Sequence, residues 1–166
     1  MAADDHIRQQ TLDAAKAKLA SAVALVDQRV WLTPRPPVSK KEAPGIVLAQ
    51  GDEDVEYGPG EPDRVLNRYF DLDVIMFDVI KTDAGANSNL LASLNAMGVQ
   101  VEKAMVPATK DGAGLGIGEL DIRFLRTARP QASALGDDLG EIVSTFRIFL
   151  PTVEGDPTRS IYAQQS

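Results

Sequence analysis

The chain has 166 residues, 44% hydrophobic and 25% charged, enough to close one hydrophobic core and too few for two comfortable domains. It has no cysteine and a single histidine, His6, which excludes disulfides, thiolate metal sites, cysteine nucleophiles and His-rich metal centres. A formal charge of −7 argues against a nucleic-acid grip built from basic patches, and no apolar run approaches the roughly 20 residues of a membrane span.

In chain order, Leu12, Ala15, Leu19, Ala22, Val23 and Val26 recur at three- and four-residue steps, so Asp4 to Gln28 reads as an amphipathic helix with acidic residues at its N-terminus. His6 falls where that helix begins and is expected to be a solvated end residue. No basic segment followed by an apolar core opens the chain, so synthesis and assembly in the cytoplasm are expected. Val30 to Leu32 is a short strand, closed by Thr33-Pro34-Arg35-Pro36-Pro37, where the prolines remove backbone donors. Ile46 to Ala49 is the next strand.

Gly51 to Asp63 combines Asp52, Glu53, Asp54, Glu56 and Glu61 with two glycines and two prolines beyond the first, which predicts a mobile acidic loop. It lacks the twelve-residue oxygen-ligand pattern of a calcium loop. Val65 to Ile80 carries the strongest strand signal: Leu66, Phe70, Leu72, Val74 and Met76 share one face, and Asn67, Tyr69, Asp71 and Asp73 the other. Past Val74 the second face turns apolar through Ile75, Phe77 and Val79, which calls for cover by a loop or a neighbouring subunit.

Leu90, Leu94, Met97 and Val101 predict a second helix over Ser88 to Ala104. Leu120 to Leu125 is a strand, Ala128 to Gly140 a polar connection, and Ile142 to Leu150 the closing strand. This order implies an α+β fold: a mostly antiparallel, mixed β-sheet with two helices packed on one face, over residues 1–150. Residues 151–166, containing Ile161 and Tyr162, read as a C-terminal tail that becomes ordered on assembly.

Three features bear on chemistry. The glycine-rich run Lys110 to Gly118 follows a helix and leads into a strand, the reverse of a phosphate-cradling loop, and lacks a Gly-Lys-Ser/Thr closure, so no nucleotide cofactor is expected. Asp71 and Asp73 lie on one strand face about 7 Å apart, a spacing open to a divalent cation or an acid/base pair. The simpler reading has them solvated or paired with Arg68 or Arg123. No Gly-x-Ser-x-Gly elbow is present. The chain is therefore expected to use no metal and no cofactor and not to be an enzyme.

The arrangement resembles the tail terminator proteins of long-tailed bacteriophages and prophages. The resemblance runs through the helix Asp4 to Gln28, the strand and proline loop Val30 to Pro37, the strand through Tyr69-Phe70-Asp71-Leu72-Asp73-Val74, the helix Leu90 to Val101, and the last strand Phe146-Arg147-Ile148-Phe149-Leu150-Pro151-Thr152. It implies a virion subunit of the tail or neck, a homohexameric ring that ends tube polymerisation and meets the tail tube protein on one side and the head–tail connector on the other. DNA would pass through the lumen without specific binding, and no membrane would be involved. Arg35, Asp52, Glu53, Asp54, Asp71, Asp73, Ile161 and Tyr162 are the candidate assembly or lumen contacts. The acidic run 51–63 and the tail have no counterpart in that family. Two other readings stand beside this one: another neck or tail-completion subunit, and a metal-dependent enzyme using Asp71 and Asp73.

Overall fold

The computed structural model describes residues 6–33, 38–58, 65–80, 86–106, 114–115, 117, 121–134 and 138–160. Among the described residues two α-helices, α1 (Ile7–Ala22) and α2 (Ala86–Met105), accompany seven strands: β1 (Val30–Leu32), β2 (Gly45–Tyr57), β3 (Val65–Val79), β4 (Asp121–Thr127), β5 (Gln131–Ala132), β6 (Leu139–Val153) and β7 (Asp156–Ser160). All strands join one sheet of order β1-β2-β3-β6-β4, with β5 and β7 also on β6. β1 runs parallel to β2 and every other pairing is antiparallel. The fold is α+β, as the element order implied.

The two long strands β3 and β6 pair over their full length, from Val65 opposite Val153 to Val79 opposite Leu139, and form the spine. The pleat sends alternate residues to opposite faces. Phe70, Leu72, Val74 and Met76 are buried on one face together with Phe146, Ile148 and Leu150 of β6. Ile7, Leu12, Ala15 and Leu19 of α1 and Leu94, Met97, Val101 and Met105 of α2 lie against them in the main core. Each large side chain so buried contributes roughly 1.5–3 kcal/mol, which is what holds both helices to this face.

α1 is shorter than its apolar periodicity suggests. After Ala22 the chain tightens into a 3₁₀ turn at Ala24–Val26, and Asp27 and Gln28 take positive φ angles of 46° and 63°, which redirect the chain into β1. Ala22 is exposed, whereas Ile7 and Thr11 join the buried face.

The apolar stretch on the second face of β3 is covered by the chain itself. Val38, Val47, Phe77 and Leu139 form a smaller core with Trp31, Ala43, Ile75 and Val79 around it, and Trp31 stacks on Phe77 at 6.0 Å between ring centroids. The segment ahead of β2 supplies Val38 and Ala43.

Three expectations are corrected. Gly51–Tyr57 is strand, since β2 continues along β3 to Tyr57 opposite Leu66; the backbone pairing offered by β3 outweighs the low strand preference of an acidic run. The remainder of the acidic run, 59–63, lies outside the described residues. The polar connection 128–140 contains β5 and the start of β6. Residues 151–153 complete β6 and 156–160 return as β7, so eight residues assigned to a tail belong to the sheet. A turn with Gly155 at φ 86° makes that return possible.

Candidate functional site

The face of the sheet away from the helices carries most of the side chains that the sequence put forward. Four strands can be followed across it in register. Asp54, Tyr69, Phe149 and Asp121 lie side by side, and a second row runs Ala49, Asp73, Thr145 and Arg126. Cross-strand partners share a face, so Asp71 and Asp73 project onto this open surface as expected.

Their partners differ from those expected. Asp71 is gripped by Arg147 of β6 in a two-point pair, Nε to Oδ1 at 2.8 Å and NH2 to Oδ2 at 3.1 Å. Thr145 donates its hydroxyl to Asp73 Oδ1 at 2.6 Å. Arg68 points to the opposite face, and Arg123 pairs with Asp121 of its own strand. The hydrogen bond and the charge of Asp71 raise the pKa of Arg147, with a smaller contribution from Asp54; the two-point pair is what holds the guanidinium in place on this face. The two aspartates stitch β3 to β6. Among the described residues no group of three or more His, Cys, Asp or Glu converges as a metal cage.

The three consecutive acids Asp52, Glu53 and Asp54 are sent different ways by a β-bulge between Gln50 and Glu53. Asp54 and Glu56 reach the open face, Asp52 is exposed at the bulge, and Glu53 turns to the helix side. There Glu53 accepts from Arg68 at 2.7 Å and from Arg8 at 3.0 Å, while Arg68 Nε also donates to Thr152 Oγ1 at 2.9 Å. Glu53 is thus a structural carboxylate tying the N-terminus of α1 to β2 and β3.

His6 caps α1 beside this group, its Nδ1 accepting the Arg8 backbone N–H at 3.2 Å. It is half-buried rather than a solvated end residue. Burial first, then the Arg68 charge, lowers its pKa below the ordinary 6.5, with Glu53 opposing. A histidine depressed in the folded state stabilises the fold fully above pH 6.5; that contribution disappears as pH falls through the folded pKa. His6→Asn, which keeps a capping acceptor and cannot titrate, is therefore expected to flatten the loss of stability just below pH 6.5 in urea unfolding series. An unchanged slope would show that His6 does not contribute it.

The middle of the open face is concave. Tyr69 and Phe149 stack at 4.7 Å with their planes 9° apart, and Asp54, Glu56, Asp121, Arg123 and Arg147 rim them around a hollow of about 420 Å³. Of these, sequence reasoning singled out Asp54 as a site residue and not the rest. The alternation of Arg147 and Phe149 in the last strand, with the same parity as Tyr69 and Asp71, was the available signal. Arg35, Ile161 and Tyr162 lie outside the described residues.

No family model matches the chain, and no curated protein matches it. Among solved structures it is similar to a chain of the "Virion of native gene transfer agent (GTA) particle". The two are 23% identical, with 89% of this chain and 92% of that chain covered, at a TM-score of 0.45. A likeness of that depth leaves function to be argued from the residues.

Proposed function

We propose that this chain is a structural subunit of a phage-like particle, a ring-forming cap at the head-proximal end of the tail tube that ends tube growth and seats the head connector. The observation that carries the reading is the open sheet face. On it the carboxylates of Asp54, Glu56, Asp71, Asp73 and Asp121 outnumber the guanidiniums of Arg123, Arg126 and Arg147, and the central ones are locked into the sheet by Arg147 and Thr145. A rigid, net negative surface repels phosphates instead of capturing them. That is what the wall of a channel for passing DNA requires. In this reading Asp71 and Asp73 hold the wall together and perform no catalysis, and the protein acts in the virion neck after assembly in the host cytoplasm.

The test is polymerisation of the cognate tail tube protein with and without the purified chain. Shorter tubes bearing extra density at one end in negative-stain images are expected. An unchanged length distribution with bare ends would reject the capping role.

A further inference from the structure

The residues of the hollow on the open face stand in neighbouring rows set by the register. The middle row is Asp54, Tyr69, Phe149 and Asp121, running from β2 across β3 and β6 to β4. Glu56, two residues along β2, flanks this row on one side, and Arg147 with Arg123 flank it on the other. The stacked rings of Tyr69 and Phe149 therefore occupy the centre, and a carboxylate closes each end of their row.

Both guanidiniums are already engaged. Arg147 is held at two points by Asp71, and Arg123 pairs with Asp121. Asp54 and Glu56 are exposed and have no cation within ion-pair distance among the described residues. Counting Asp71 with Arg147, the hollow holds two carboxylates in excess of its guanidiniums. Like charges facing one hollow are relieved by a bound counter-charge.

Spacing narrows the nature of that counter-charge. Asp54 and Glu56 are one full strand alternation apart, about 7 Å, too far to share a bare metal ion at ligand distances of about 2.0–2.6 Å. Asp54 and Asp121 are three strand spacings apart, about 14 Å. The floor between them is aromatic, a surface that packs against methylene groups and attracts organic cations. The volume of about 420 Å³ lies in the range of small-molecule sites, roughly 300–1,000 Å³. A single basic side chain fills one end of the row and leaves the carboxylate at the other end unmatched. An elongated cation with an ammonium at each end and an apolar spacer matches both ends and the floor together.

We propose that the hollow binds a linear aliphatic polyamine along the middle row. One ammonium lies at Asp54 and Glu56, the methylenes cover Tyr69 and Phe149, and a second ammonium reaches Asp121. Asp121 retains an acceptor for it, because Arg123 Nε bonds to Oδ2 and leaves Oδ1. The Asp121–Arg123 pair lies on the surface, with the arginine side chain 75% exposed, so it competes weakly. The same side chains hold the polyamine in an isolated subunit, so the site and tube capping fail separately.

The test is calorimetric titration of the full chain with spermidine, with circular dichroism to confirm the folding of every variant. Wild type is expected to give a saturable one-to-one isotherm that weakens as salt rises. Nuclear Overhauser contacts between the spermidine methylenes and the rings of Tyr69 and Phe149 are expected in the same complex. Asp54→Asn with Glu56→Gln, nearly isosteric changes at exposed positions, should weaken binding by about tenfold or more. Tyr69→Leu should weaken it by about fivefold. Asp27→Asn with Glu102→Gln removes two charges from exposed positions in the helix layer and should bind as wild type does. Propylamine, with one ammonium, should bind about tenfold more weakly than spermidine or worse.

No saturation with spermidine, equal losses in the two double variants, or displacement of spermidine by an equal concentration of Mg²⁺ would reduce the effect to a diffuse ion atmosphere and overturn the site. A lysine-rich peptide that binds where spermidine does not would make the hollow a protein-docking surface and overturn the polyamine assignment.

Discussion

Phe146→Ala is expected to destabilise the fold by about 3–5 kcal/mol. Phe146 is fully buried at the centre of β6, opposite Leu72 and beneath the helices, and it meets Phe124 edge-on at 5.6 Å. Removing the ring opens a cavity that β3, β4 and β6 cannot close without giving up their register. For a chain of this length the melting temperature should fall by about 10–15 °C. Phe149→Ala provides the contrast. Its ring is half-exposed on the open face and stacks on Tyr69, so the loss should be about 1 kcal/mol. Thermal unfolding of both variants checks the assignment of faces; equal losses would contradict it.

Arg68→Ala comes second, at about 3 kcal/mol. Arg68 and Glu53 are 13% and 12% exposed, so neither charge is well solvated. Truncating the arginine leaves the Glu53 carboxylate with Arg8, itself 39% exposed, and removes the donor to the buried Thr152 hydroxyl. A carboxylate left nearly buried with a weakened partner is costly, whereas replacing both members of such a pair by apolar side chains is often neutral. Arg68→Met with Glu53→Met should accordingly recover most of the stability lost in Arg68→Ala. Denaturant unfolding of the single and double variants decides the point. If Arg68→Ala unfolds like wild type, Glu53 is a solvated surface acid and the bulge does not turn it inward.

What could be read from the sequence was whatever follows from local geometry. The two-residue alternation through Leu66, Phe70, Leu72, Val74 and Met76 is a direct consequence of the pleat, so the buried face of β3 and the open side holding Asp71 and Asp73 were legible in advance. The three- and four-residue steps of Leu94, Met97 and Val101 placed α2 in the same way. Composition alone excluded thiol chemistry.

Pairing decided the rest. The partner of Asp71 is Arg147, 76 residues away in the chain; alternation along β3 sets Arg68 on the other face, but no local pattern distinguishes Arg147 from Arg123. One bulge between Gln50 and Glu53 sends Glu53 to the helix side and Asp54 to the open side, a choice made by hydrogen-bond register with β3 and invisible in the run of acids itself. The same pairing drew Gly51–Tyr57 into β2, and residues 151–153 and 156–160 into β6 and β7. Side-chain periodicity is written into consecutive residues, whereas register, bulges and edges arise from backbone contacts between segments that meet only when the chain has folded.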